Sequence, residues 1–388
     1  MVYHLTSHHS HQFIFITLTT IFILTSSSSS AATETHPSRP FKKIYAFGDS
    51  FTDTGNTKTA TGPTGFGHVS NPPYGITFFH HPTNRYSDGR LVIDFVAETL
   101  SLPYLPPYRK IRAKVSSSTF GVNFAVAGAT AINHAFFVKN NLSLDVTPES
   151  IQTQLLWFNK YLESQGCKNA SASDCKEVFD DALFWVGEIG VNDYAYAVGS
   201  SIPDDTIRKL GIASFTGVLQ SLLEKGAKYV VVQGLPLSGC LPLAMSLAAE
   251  DDRDNIGCVK SVNNQSYIHN AVLQAKLQEL RKQFPNAVIT YADYWNAYRA
   301  VMKSPSQYGF KELFSCCCGK GEPYNFDVFT TCGMANVSAC ANPSKYINWD
   351  GVHLTEAMYK VVSNMFLNGT FSHPPFSYLL GRKIKQCG

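Results

Sequence analysis

Ile44-Tyr45-Ala46-Phe47-Gly48-Asp49-Ser50-Phe51-Thr52-Asp53-Thr54-Gly55-Asn56 opens with the apolar, aromatic run of a strand and breaks at Gly48-Asp49, a pair that favours a tight turn. Ser50 therefore stands at a strand end. In a parallel α/β sheet, ligands bind outside the carboxyl ends of the strands, so the Ser50 hydroxyl is expected at the mouth of a ligand crevice. Thr52, Asp53 and Thr54 are placed to accept hydrogen bonds from the exposed N–H groups of a following helical turn. Read alone, the stretch serves equally well as a strand-to-helix turn with a capping serine.

Farther along, Gly121 to Thr130 is a second strand-like run, and Phe184 to Val186 opens a third that ends in a loop. Asp204 to Lys225 carries Ile207, Leu210, Leu219, Leu222 and Leu223 at helical spacing, and Lys228 to Gly234 follows as a near-continuous apolar strand. Ser261 to Phe284 predicts a longer helix, Ala287 to Tyr291 another strand, and Glu356 to Leu367 a last helix. This alternation predicts parallel strands with helices on both faces.

The 388 residues are 44% hydrophobic and 13% aromatic, enough to bury a sizeable core and unlike a disordered chain. A formal net charge of +3 with scattered basic residues argues against a nucleic-acid partner. Thr57 to Arg112, rich in Gly, Pro and rings such as Tyr74, Phe78, Phe79 and Tyr86, is long for a connector. It reads either as part of a substrate site or as an excursion packed on its own aromatics.

A serine hydroxyl is a weak nucleophile near neutral pH, so it needs a base, a group to orient that base, and donors for an oxyanion. Asn348-Trp349-Asp350-Gly351-Val352-His353 supplies the first two: three residues apart in a turn, the Asp350 carboxylate can hold His353 Nδ1 while Nε2 points outward. Taken separately, Asp350 is more often an N-cap and His353 more often a part-buried helix residue. Gly128 and Asn192 each follow a strand-like run, where a close N–H and a side-chain amide are expected as oxyanion donors. Taken singly, both are turn formers.

Ser50 within FGDSFTDTGN, Gly128 within NFAVAGAT, Asn192 within GVND, and Asp350 with His353 within DGVH resemble, in that order, the sequence blocks of the plant GDSL esterase/lipase family, a branch of the SGNH hydrolases. The resemblance implies a flavodoxin-like three-layer α/β/α sandwich with a central, mostly parallel sheet. It implies Ser50 as nucleophile, His353 as base and Asp350 as its orienter, with an oxyanion hole from the Ser50 and Gly128 N–H groups and the Asn192 side chain. The family's name motif has Leu where this chain has Phe51, a position expected to face the interior. Asn84 to Arg90 looks like a family segment that precedes a helix, Leu91 to Leu100, and is read as structural support. Because the blocks lie at the start, first third, middle and end, one domain over 33–388 is expected.

Residues 1–32 read as a cleaved signal peptide. Phe13 to Leu24 is apolar except for threonines, too short to span a bilayer, and runs into Ser26 to Ser30 and Ala31-Ala32. The n-region departs from the pattern, carrying His4, His8, His9 and His11 but no Lys or Arg. Sequons at Asn141, Asn169, Asn264, Asn336 and Asn368 agree with export and glycosylation. No later run approaches a membrane span.

Ten cysteines in an exported chain point to disulfides ahead of metal ligands, with Cys167–Cys175 and Cys240–Cys258 as the local pairs. The stretch from Cys317-Cys318 to Cys332 resembles the family's disulfide loop, which implies Cys332 and Cys340 as downstream partners. Cys316 is then left over, to pair with Cys387 or stay free. These readings predict a secreted carboxylic ester hydrolase of esterase or lipase type, active in lipid degradation. Its partner is a small-molecule ester or lipid, reached through an acyl-serine intermediate, with no metal and no cofactor. Two alternatives remain. One is acyl transfer to an alcohol through the same residues; the other is a non-catalytic ester- or glycan-binding glycoprotein, which loss of a triad member would have favoured. Acyl length and alcohol identity depend on loop-built pocket walls that the fold does not specify.

Overall fold

Alternate side chains of β1 (Lys43–Phe47) go to opposite faces of a sheet, and both faces are covered. The computed structural model describes residues 39–57, 65–112, 120–142, 147–167 and 175–387. The leader, Asn169 and the third residue of the Asn141 sequon lie outside them. Ile44 and Ala46 join one apolar cluster with Leu183, Trp185, Tyr229 and Val231; Tyr45 and Phe47 join the other with Phe184, Val186, Val230 and Val232.

After β1 the chain runs through α1 (Val92–Thr99), α2 (Tyr108–Arg112), β2 (Gly121–Asn123), α3 (His134–Lys139), α4 (Ile151–Ser164), α5 (Lys176–Phe179) and β3 (Ala182–Val186). Next come α6 (Val191–Ala197), α7 (Asp204–Glu224), β4 (Tyr229–Gln233), α8 (Pro242–Leu247), α9 (Lys260–Gln283), β5 (Val288–Ala292) and α10 (Tyr294–Lys303). The last part holds β6 (Glu312–Cys316), β7 (Cys318–Gly319), β8 (Ser338–Ala339), β9 (Tyr346–Asn348), α11 (Glu356–Leu367), β10 (Ser372–His373) and α12 (Phe376–Cys387).

The main sheet is six-stranded, in the order β10-β5-β4-β3-β1-β2, parallel except for the antiparallel edge strand β10. Helices α1, α10, α11 and α12 pack on the Ile44 face through residues such as Val96, Tyr298, Val362 and Leu379. Helices α4, α7 and α9 cover the other through Phe158, Leu219 and Leu277. This is the expected three-layer sandwich. Its parallel order 2-1-3-4-5 is flavodoxin-like and reverses direction between β1 and β3, which opens a crevice beyond their carboxyl ends. β2 can lie flush against β1 because its first residue is Gly121, at φ 113°; a Cβ there would meet the Ile44 carbonyl oxygen at 1.9 Å.

The helices and strands with limits expected from the sequence fall within about two residues of them, with two departures, while α4, α10 and α12 had no such expectation. The run from Gly121 leaves the sheet after Asn123, because the Asn123 amide donates to the Thr52 carbonyl at 2.6 Å while its Oδ1 accepts from Ala125 N at 2.9 Å. No helix follows Ser50 either. The Asp53 carboxylate captures the N–H groups of Gly55, Asn56 and Thr57 at 2.6–3.1 Å and closes a turn there in place of a cap.

Among the described residues four disulfides are formed: Cys167–Cys175, Cys240–Cys258, Cys317–Cys340 and Cys318–Cys332. Cys316 is a buried free thiol. Asn141, Asn264, Asn336 and Asn368 are exposed. Among the described residues, no helix is long and apolar enough to cross a membrane.

Candidate functional site

Ser50 follows β1 directly into the crevice, and the turn that carries it is held from several sides. Gln154 of α4 grips both polar groups of Gly48, accepting from its N–H at 2.9 Å and donating to its carbonyl at 2.7 Å. Asp49 Oδ1 accepts from Phe51 N at 3.0 Å, and Thr52 Oγ1 donates to the Gly187 carbonyl beyond β3 at 2.9 Å. Asp53 reaches across to Ala127 N at 3.1 Å, so the buried carboxylate that shapes the serine turn also fixes the loop before Gly128.

Asp350 and His353 lie in the turn between β9 and α11. Both side chains are buried, and His353 Nδ1 sits 2.9 Å and 2.8 Å from the two Asp350 oxygens. A carboxylate only accepts, so the neutral imidazole carries its proton on Nδ1 in this contact. Asp350 Oδ1 also accepts from the Val352 and His353 N–H groups at 3.1 and 2.9 Å. The N-cap of α11 is Thr355, whose Oγ1 accepts from Met358 N, so Asp350 is not needed for capping. Phe51 faces the interior as expected, but its ring also packs on the His353 imidazole at 5.5 Å, with Tyr86 on that imidazole at 4.5 Å. The serine turn and the histidine turn thus meet.

Gly128 and Asn192 arrive at the same crevice. Gly128 has φ 79°, and its carbonyl accepts from Tyr196 Oη at 2.9 Å. Asn192, in the first turn of α6, gives its side-chain amide to Asp49 Oδ2 at 3.0 Å and to the Ala129 carbonyl at 2.9 Å. The next residue, Asp193, accepts from Ala131 and Ile132 N–H groups at 2.8 and 2.7 Å. One short helix therefore holds the whole Gly128 loop in place.

The electrostatics divide sharply. Burial pushes Asp350 upward, but His353 outweighs it with charge and hydrogen bonds, assisted by Tyr74, and the carboxyl ends below its ordinary value. Asp49 is raised by burial to about 6. Glu188, next to it and fully buried, is raised well above the ordinary value by burial and then by the Asp49 charge. Of the two, Asp49 receives the Phe51 N–H and the Asn192 amide, so Glu188 keeps the proton and Asp49 carries the charge. Burial lifts Asp193 to about 7 in spite of its three backbone donors, Ala131, Ile132 and its own N–H.

The turns that carry Ser50, Gly128, Asn192, Asp350 and His353 thus meet, through Asn192 on Asp49 and on the Ala129 carbonyl and through Phe51 on the His353 ring. Sequence reasoning missed Tyr74, Gln154, Glu188 and Tyr196. Tyr74 lay in the aromatic stretch singled out between the first two blocks, but nothing in spacing connects it to a residue 276 positions away. Among the described residues, no group of three or more His, Cys, Asp or Glu side chains could hold a metal ion.

The fold is a doubly wound α/β sandwich with its candidate site at the switch point of the sheet. The GDSL-like lipase/acylhydrolase family matches residues 44–366. The GDSL esterase/lipase At3g48460 of Arabidopsis thaliana is 63% identical over 358 residues, 91% of this chain and 93% of that protein. Acetylajmalan esterase 2 of Rauvolfia serpentina is 40% identical over 330 residues, 83% of this chain and 88% of that protein. Among solved structures, the lipase/acylhydrolase from Enterococcus faecalis aligns at 14% identity and a TM-score of 0.31, over 84% of this chain and 93% of that one, too loosely to argue from. The chain belongs to the GDSL lipase/acylhydrolase family and is a carboxylic ester hydrolase.

Proposed function

We propose that the protein is a secreted serine esterase that works through an acyl-serine intermediate. His353 Nε2 takes the Ser50 proton as Oγ attacks the acyl carbon, and the same proton goes to the leaving alcohol. Water, activated by His353, then releases the acid and restores the serine. The Ser50 and Gly128 N–H groups and one Asn192 amide hydrogen stabilise the oxyanion. For that step Asn192 turns one hydrogen from Asp49 toward the substrate while the other stays on Ala129.

The observation that carries this reading is the buried Asp350 carboxylate holding His353 Nδ1, on a turn that packs against the residue after Ser50. Export and glycosylation are supported by the leader-like N-terminus, the four disulfides and the exposed sequon asparagines. The test is hydrolysis of p-nitrophenyl esters of graded chain length by wild type and Ser50→Ala. A drop in kcat of about three powers of ten or more is expected, because triad members act as a unit. Retention of more than a tenth of wild-type turnover would remove Ser50 as nucleophile.

A further inference from the structure

We propose that Tyr74 is a positioning residue for the acyl-transfer chemistry: its phenol O–H donates to Asp350 Oδ2 at 2.7 Å, the oxygen that also lies 2.8 Å from His353 Nδ1. This rests on the triad reading above. The two donors share one carboxylate oxygen, so the phenol fixes the carboxylate and draws off part of the charge that would otherwise stabilise a protonated imidazole. Tyr74 is buried and wedged between the rings of Tyr86 and Trp349, each at 6.0 Å, which sets the direction of its hydroxyl. Burial and the Asp350 charge push the phenol well above its ordinary value, so it remains a donor across the working range.

Other groups among the described residues also face this pair. Tyr86 lies over the imidazole, the Cys316 thiol at the end of β6 and Tyr359 of α11 sense the Asp350 charge, and Asp49 of the serine turn senses His353. Burial holds the Cys316 thiol and both phenols far above their ordinary values, so they stay neutral where the enzyme works. Asp49 is the other titrating neighbour, and replacing Tyr74 leaves it in place.

The experiment is the pH dependence of kcat and kcat/KM for the full mature chain carrying Tyr74→Phe, with 3-fluorotyrosine at position 74 as a second variant that keeps the ring and hydroxyl. Loss of the donor leaves Asp350 a stronger partner for imidazolium, so the acid limb of kcat/KM in Tyr74→Phe moves up by roughly half to one pH unit. Plateau kcat falls about tenfold, with KM within about twofold, as expected for loss of orientation in the transition state. A more acidic phenol strengthens the hydrogen bond, so the fluorotyrosine variant moves the acid limb down. Acid limbs that coincide with wild type in both variants overturn the inference, even if thermal stability changes; inactive Ser50→Ala in the same series shows that the triad reading still stands. An active Ser50→Ala sinks both.

Discussion

Asn192→Ala separates a transition-state donor from a structural one, because this amide does visible work in the resting enzyme. Its two hydrogens rest on Asp49 Oδ2 and the Ala129 carbonyl. Truncation leaves both acceptors short of a donor, each worth about 1–3 kcal/mol when dry. The site is only part-buried, so water recovers much of this and the net loss is about 1–2 kcal/mol. That lowers the melting temperature by a few degrees and leaves the enzyme folded at assay temperature. The kinetic loss is larger: removing one oxyanion donor lowers kcat by about 10²–10³, equivalent to roughly 2.7–4 kcal/mol, with a smaller change in KM. The assay is steady-state hydrolysis of a p-nitrophenyl ester at least ten degrees below the variant's melting midpoint, with circular dichroism to confirm the fold. A kcat within about threefold of wild type, or a raised KM with kcat untouched, would refute the oxyanion assignment and leave Asn192 as a brace between Asp49 and the Gly128 loop.

Gly121→Ala is expected to cost several kcal/mol or abolish folding, since its Cβ would strike the Ile44 carbonyl at 1.9 Å; a wild-type denaturation midpoint would contradict the β1–β2 register. Burial, aided by Arg208, holds His269 at about 3, below the 6.5 of the unfolded chain, so the stability it contributes is full above 6.5 and is lost as pH falls toward 3. His269→Gln should therefore lose about 2 kcal/mol less than wild type between pH 7 and 5 by urea titration; Asp49, Glu188 and Asp193 act in the opposite sense but are common to both proteins, so parallel slopes would count against a neutral buried His269. Reduction of the disulfides should lower the melting temperature, because loops of 8 to 23 residues contribute about 2.5–3.4 kcal/mol each by chain-entropy arithmetic. An unchanged melting curve under reductant would show that the bridges are absent from the mature protein.

The sheet was legible because parallel strands covered on both faces read as near-continuous apolar runs, as in Ala182–Val186 and Tyr229–Gln233, and the helices between them carry clear periodicity. Ser50, His353 and Asp350 stood out as candidates from a strand end and a three-residue spacing, but each has a bland structural reading as well, and their roles came from the resemblance of the four ordered blocks to the GDSL family. The turn after Ser50 was misread for a local reason: Asp53 looks like a capping residue and instead folds its own N–H neighbours onto its side chain. What the sequence hid is long-range polar contact. Gln154 bonds to Gly48 across 106 positions and Tyr74 to Asp350 across 276, and neither pairing leaves a periodicity or motif. Glu188 shows the same limit, since an acid in a loop looks solvated until the fold buries it beside Asp49.

Whether Ser50 is the nucleophile of an exported ester hydrolase is decided by covalent capture. The non-reduced protein is treated with a fluorophosphonate, digested and sequenced by mass spectrometry alongside Ser50→Ala. One adduct is expected, on Ser50, formed in step with loss of esterase activity and absent from Ser50→Ala. Full inactivation with the adduct on another residue, or full activity retained with Ser50 modified, would contradict it.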